Sequence, residues 1–505
     1  MYRSTNEVSN SPSAFIEKTK FALEENNRWV ILSKIIPWSE FEGEYASLFN
    51  EKIGRQAKIF RIALGCLLIQ HILNLSDRET VEQIKENPYL QYFLGFKCYE
   101  YKEPINASTL VYFRKRISPE IINKINKKVI KEEIERQENG EKKTSENEED
   151  KNKGELILDA SCIPSDIEYP TDLGLLNKGR ETTEKYIDKL YKPLKRKGKR
   201  KPKTDRKQGK RNYLKVAKKK KVKEKERKRA IKQQLRYLER NLQHIENLIQ
   251  QGSSINFLTK TEQKNLEVIK EVYQQQLLMY QENKRSIESR IVSIGQPYIR
   301  PIVRGKMRVP VEFGAKLSIS YVKGYVFLDE ISWENFNESK YLEKQVELYY
   351  QNFGYYPKSI HVDKIYRTKA NRKYCQERGI RMSGPKLGRP PKNISKSEKQ
   401  QALFDERIRN RVEGKFGEGK RRYGLDLIKT KLAETSENKI AMSILAMNLI
   451  TILRRVLRIF LFFFVITIKN DSIHKLNYYL RDKSDSLTYI LSQNNLGNHH
   501  GIRIF

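Results

Sequence analysis

Apolar and polar positions along this chain follow two rhythms, and the change from one to the other divides it. In "IFRIALGCLLIQHILNL" (Ile59 to Leu75) the apolar residues recur at helical spacing. The "SDRE" that follows (Ser76 to Glu79) has the Ser-x-x-Glu form of a capping box and predicts a second helix through "ETVEQIKENPYL". A third, "STLVYFRKRIS", follows Asn106, with Ser108 as its expected cap. These helices predict an all-helical domain over 1–135. Arg136 to Gly154 contains no apolar residue and reads as a solvated linker over 136–154.

Beyond the linker the rhythm shortens. Leu156, Ile157 and Leu158 read as a short buried strand with Asp159 at its end. "PVEFGAKLSISYVKGYVFLDEISW" (Pro310 to Trp333) alternates regularly and predicts two strands joined through "VKG". "KSIHVDKIY" (Lys358 to Tyr366) is a short strand closed by Asp363, and "IRMSG" is another. Helices are expected at "YLEKQVELYYQNFG", at "RTKANRKYCQERG" and at the charged "SEKQQALFDERIRNRVEGKFGEGKRRYG". This order predicts an α/β domain, a mixed sheet flanked by helices, over 155–191 and 300–435. Between its first and second strands, after a helix starting near Asp172, comes an insertion over 192–299. Leu235, Leu238, Leu242, Ile245 and Ile249, then Leu266, Ile269, Tyr273, Leu277 and Tyr280, recur at heptad spacing on either side of "QGSSI", which predicts a helical hairpin. A C-terminal helix and tail fill 436–505.

Charge changes this picture. The 505 residues are 38% hydrophobic, enough for a folded core, yet the formal net charge is +37. Lys192 to Lys232 holds 23 Lys or Arg against three acids, more than half of that excess. A polyanionic partner is implied, nucleic acid before an anionic membrane surface, which more usually meets an amphipathic helix or a lipid anchor. The hairpin is therefore expected to contact nucleic acid through phosphates, the alternative being a merely solvated charged pair. Cys66, Cys98, Cys162 and Cys375 lie far apart and suggest neither a zinc ribbon nor a disulfide framework, in keeping with a reducing cytoplasm. The polar "MYRSTNEVSN" argues against a secretory signal. Ile440 to Ile468 is apolar but broken by Arg454, Arg455 and Arg458, so a buried or partner-facing segment is expected rather than a membrane span.

The candidate chemistry lies in three acids. Asp159 and Asp363 each close a strand, and Glu413 sits on the last charged helix. Phosphoryl transfer in DNA requires Mg²⁺ ions held by carboxylates, one to activate the attacking oxygen and one to stabilise the leaving oxygen, ~4 Å apart. Taken singly, a strand-end Asp is more often a turn former or a cap. Arg409, Glu413 and Lys420 form Arg-x3-Glu-x6-Lys, a pattern that arises roughly two or three times by chance at this composition, and its i, i+4 ion pair is an ordinary helix stabiliser. His361 reads as a packed residue, not a ligand.

On these residues the chain resembles a known family. "LILDASCIPSDIEYPTDLGLLNKGRETTEKYID", "RPIVRGKMRVPVEFGAKLSIS", "HVDKIYRTKANRKYCQERGIRMSGPKLGRP" and "RVEGKFGEGKRRYGL" look like the catalytic domain of DDE-type transposases of bacterial insertion sequences. "LSDRETVEQIKENPYLQYFLGF" with "STLVYFRKRI" is similar to their helical amino-terminal domain, which would bind the DNA ends. The resemblance implies an RNase H-like fold, with Asp159, Asp363 and Glu413 binding two Mg²⁺ ions, Mn²⁺ able to substitute. It implies double-stranded DNA as partner, both inverted-repeat ends and target, a homodimer when two ends are paired, and a cytoplasmic, nucleoid-associated place of action. Arg409 and Lys420 would hold the DNA end, with Arg367 and Arg389 as further candidates. The family's Tyr-x2-Arg-x3-Glu-x6-Lys signature is met except at the tyrosine, where Glu406 stands. A decayed transposase that only binds DNA, or an RNase H-like nuclease, are the alternative readings.

Overall fold

A computed structural model describes residues 23–50, 56–102, 104–140, 151–303, 311–384 and 395–458. Arg389, the Phe-rich run and the tail lie outside the described residues.

The helical part begins with α1 (Arg28–Ile35), α2 (Trp38–Ala46) and α3 (Phe60–Leu73). The expected capping box is formed: the Ser76 hydroxyl accepts from the Glu79 N–H, and the Ser76 N–H donates to the Glu79 carboxylate, opening α4 (Asp77–Glu86). A short α5 (Pro88–Phe93) and α6 (Ala107–Arg116) follow. Asn106, not Ser108, caps α6, because its carboxamide reaches the Ser108 N–H at 2.9 Å and Ser108 already lies inside the first turn. Helix α7 (Pro119–Gly140) runs five residues into the expected linker. Gln137 on that last turn donates to the Glu133 carboxylate and to the Tyr325 hydroxyl.

Strand β1 (Glu155–Pro164) does not stop at Asp159. It continues because a long antiparallel neighbour satisfies its backbone as far as Pro164 opposite Gly314. A Cβ at position 314 would fall 2.0 Å from the Ile163 carbonyl oxygen, so only glycine allows that approach. After β1 come α8 (Asp172–Lys195), α9 (Arg206–Ala217), α10 (Glu224–Gln250) and α11 (Lys260–Gln281). The chain then re-enters the sheet through β2 (Arg300–Val303), β3 (Val311–Val322) and β4 (Tyr325–Ser332). Lys323 and Gly324 both take positive φ, the two-residue turn that suits a right-twisted hairpin. The rest alternates: α12 (Leu342–Phe353), β5 (Ser359–His361), α13 (Lys369–Glu377), β6 (Arg381–Met382), α14 (Lys396–Arg422) and α15 (Ala433–Arg458). Strand β2 has no place in the sequence-predicted order. It has four residues including Pro301, too short to show alternation, and among the described residues it pairs only with the start of β3.

The sheet order is β2-β3-β1-β5-β6, with β4 on the same edge of β3 as β2. Pairing is antiparallel from β4 through β3 to β1 and parallel from β1 through β5 to β6, the RNase H-like arrangement. Side chains alternate across it. Leu156, Ser320 and Phe327 face α12. Leu317, Ile319 and Val326 face α14 and α15. One apolar core joins the amino-terminal helices, the sheet and α15. By length and composition α15 would cross a membrane, but 67% of its most apolar window is buried within the protein, which makes it a core helix.

The expected hairpin is α10 folded on α11, and it is not alone. Its leucines pack on Leu175, Leu176, Ile187, Leu190 and Leu194 of α8, in a second core separate from the first. Helix α8 was expected to belong with the sheet, but its amphipathic face is buried in the insertion instead.

A buried polar clasp ties the first core together. Asn448 on α15 accepts from the Val326 N–H at 3.0 Å and donates to the Asn126 carboxamide of α7 at 2.8 Å and to the Val326 carbonyl at 2.7 Å. Asn448→Ala leaves the Val326 N–H and the Asn126 oxygen without partners, at a cost of about 2–4 kcal/mol. Urea unfolding should show this as a lower midpoint with an unchanged slope.

Candidate active site

The parallel register of β1 and β5 sets the first two candidate acids side by side. Ile157 pairs with His361, and two residues further along each chain stand Asp159 and Asp363. Asp159 also lies opposite Ile319, on the sheet face turned to α14. That helix presents Glu406, Arg409, Glu413 and Lys420 at spacings of three, four and seven, on one side. A cavity of about 870 Å³ is lined by Asp159, Asp363, Arg409, Glu413 and Lys420 together with Lys316 and Glu338. Five of the seven candidate residues therefore share one cavity.

The electrostatics of the cavity are those of crowded carboxylates. Asp159 accepts a hydrogen bond from the Ala160 N–H at 2.8 Å. Burial, and then the nearby Asp363 and Glu338 carboxylates, push its pKa up to about 7 against the opposing pull of that hydrogen bond and of Arg409. Asp363 stands just before the one-turn 3₁₀ segment Lys364–Tyr366, makes no side-chain capping hydrogen bond to it, and is more than half exposed. The Arg409 guanidinium, 20% exposed, bridges the set: 3.0 Å to Asp363, 3.1 Å to Glu413 and 2.9 Å to Glu406. Its pKa is raised, chiefly by the hydrogen bond to Glu406. Glu406, standing at the signature's tyrosine position, thus accepts from Arg409. Lys420 donates to the Cys162 carbonyl at 3.4 Å.

Among the described residues no group of three or more His, Cys, Asp or Glu is arranged to enclose a metal ion. The Arg409 guanidinium sits between Asp363 and Glu413 and holds their charge instead. The donor chemistry nevertheless suits a hard cation: all are carboxylate oxygens, and among the described residues Asp159 has no ion-pair partner while burial raises its pKa. Asp159, Asp363 and Glu413 are the residues that would hold one.

Arg367 is placed elsewhere. Its guanidinium donates to the backbone carbonyls of Met382 and Ser383, and burial lowers its pKa. It braces the end of β6 and does not line the cavity. His361 is fully buried, bonded to the Ser359 hydroxyl, and desolvation holds its pKa down to about 4. Two cavity residues escape sequence reasoning. Lys316, in the middle of buried β3, reaches Glu338 at 2.9 Å and the Phe336 carbonyl at 2.8 Å. A lysine inside an otherwise buried alternating strand was the only signal for it. Glu338 begins a short 3₁₀ turn and gave none.

Comparison with known proteins bears on this geometry. Residues 360–450 match the family described as "Transposase DDE domain", and residues 17–116 match "Transposase domain (DUF772)". The chain belongs to the DDE transposases. "Uncharacterized protein ORF8 in nfe locus" of Rhizobium meliloti is 31% identical to this transposase over 160 residues, 32% of the chain and 72% of that protein. No solved structure matches it. The family cuts and joins DNA and generally uses divalent metals. The part of the transposase that matches the DDE domain carries Asp363, Arg409, Glu413 and Lys420, whereas Asp159 and the insertion precede it.

The Asp159 carboxyl makes a prediction for the metal-free protein. Its folded pKa lies above the ordinary carboxylate value, so the folded chain holds the proton more tightly and loses stability as pH rises from about 4 through about 7. Asp159→Asn should therefore be more stable than the parent at pH 8 by on the order of 1–3 kcal/mol, and equal to it near pH 4. Urea midpoints in EDTA across that range check it.

Proposed function

We propose that this transposase cuts the ends of its insertion sequence and joins the freed 3′-OH to target DNA by metal-dependent phosphoryl transfer. The observation that carries this is the meeting of Asp159, Asp363 and Glu413, from three separate elements, with Arg409 and Lys420 in one cavity. When bound, a pair of Mg²⁺ ions, or Mn²⁺ in their place, supplies charge neutralisation for the attacking and leaving oxygens.

The chain's own residues do the rest. Asp159, on a strand paired along both edges, and Asp363, at the end of a strand beside it, give the acids a rigid base. Arg409 neutralises Asp363 and Glu413 in the metal-free state and is free to turn to a DNA phosphate once a cation takes over that charge. Lys420, about two turns beyond Glu413 on the same helix face, would hold the next phosphate and keep the attacking oxygen in line. Arg367 acts on β6 rather than on DNA. No covalent protein intermediate is needed, because water and then the 3′-OH act as nucleophiles in turn. Two copies of the chain would pair two ends, in the cytoplasm where the DNA lies.

With Mg²⁺ and DNA carrying the flanking inverted repeats, the parent chain should give joined products. Asp159→Asn and Glu413→Gln should each lower their yield by about 1000-fold, the loss of several kcal/mol of charge stabilisation. Cleavage without joining would indicate a nuclease, and cleavage that survives either substitution would reject the triad.

A further inference from the structure

The basic run Lys192 to Lys232 gains in three dimensions a sidedness that its composition does not show. On α9 and its cap, Lys207, Lys210, Arg211, Lys215 and Lys218 recur every three or four residues and are all exposed. The opposite side of α9, Gly209 and Val216, is buried, with Val216 packed against Leu173 of α8 and Ala230 of α10. The first half of α10 repeats the pattern: Lys225, Lys228, Arg229, Lys232 and Arg236 are exposed, while Ala230, Gln234 and Leu235 are buried. The two stripes are joined through the lysine-rich turn between the helices.

Sidedness alone is what any packed helix shows; the single sign of the charge is not. Helix α11 of the same insertion interleaves Lys260, Glu262, Lys264, Glu267, Lys270 and Glu271, the mixed pattern of a solvated face. On the stripes the acids are already engaged: Asp205 with Arg240, Glu226 with Lys219, and Glu224 with Arg285. Among the described residues none of the ten stripe cations is in an ion pair. So many like charges on one rigid face repel one another unless an extended anion covers them.

The insertion is also rooted beside the cavity. Of the two strands it departs from and returns to, β1 lines the cavity from Asp159 to Cys162 and β2 at Ile302 and Val303. The root is fixed by Arg290 and Gln276 on Asp172, and by Gln296 and Lys431 on the Asp166 carbonyl.

We infer that the exposed face of α9 and the first half of α10 docks the sugar-phosphate backbone of duplex DNA running on from the cavity, without reading its bases. This rests on the transposase reading for its partner, but its test does not need the chemistry. The full-length chain is compared with two variants, one carrying Lys207, Lys210, Arg211, Lys215 and Lys218 changed to Gln, the other Lys225, Lys228, Arg229, Lys232 and Arg236 changed to Gln. Because these side chains lie on the surface, both variants should keep the parent's circular dichroism. Binding is measured between 50 and 200 mM salt to an inverted-repeat duplex and to a random duplex of equal length. The slope of log affinity against log salt should become shallower by about 2–4 in each variant, equally on both duplexes. An unchanged slope in both variants overturns the inference, as does a change confined to the inverted-repeat duplex. It is overturned too if the variants lose only binding to phosphatidylserine vesicles. A parent chain that joins no ends while its variants still lose salt dependence refutes the transposition chemistry and leaves this surface standing.

Discussion

Parallel pairing of β1 with β5 is the constraint on which the rest of this structure turns. A parallel ladder fixes which residues lie beside one another, and here it carries the chain from the pair Ile157 and His361 to two neighbouring aspartates. Placing like charges together at the edge of a desolvated sheet is unfavourable, as the raised pKa of Asp159 records. The fold imposes the arrangement because β1 is also held along its other edge by β3, through Pro164 opposite Gly314. With β1 fixed on both sides, Asp159 cannot relax away from Asp363.

The surrounding elements compensate that crowding. Arg409 binds Asp363 and Glu413 from α14, and Lys316 binds Glu338 from β3. Beneath them α15 closes the sheet face, and its Asn448 joins the sheet edge to the amino-terminal helix α7. The amino-terminal helices therefore share one core with the sheet and with the layer that supports the acids.

The insertion follows a different logic. It has its own apolar core, which α8 completes. Inside it Arg180, 1% exposed, donates through its two terminal nitrogens to Glu184 at 2.6 Å and to Asn177 at 2.7 Å. Its uncompensated charge is carried outward. One acidic cavity and one basic face thus sit on two cores joined at a short root, a division that suits binding a long anion at one place and acting on it at another.

Much of this was legible in the sequence, because the signals are local. Capping at Ser76, the alternation of β3 and β4, and the heptads of α10 and α11 each depend on residues a few positions apart. The three acids, with Arg409 and Lys420 flanking Glu413 on α14, were legible as a resemblance, and the cavity brings them together. What the sequence left open depends on which distant segments become neighbours. Asp159 proved to be mid-strand because β3 extends past it, and β2 exists only as a partner of β3. Helix α8 belongs to the insertion because α10 and α11 offered it an apolar face. Arg367 turned to backbone carbonyls near β6, whereas Lys316 and Glu338 entered the cavity from elements with no motif. Periodicity determines which face of an element is apolar; only the packed chain decides what that face meets.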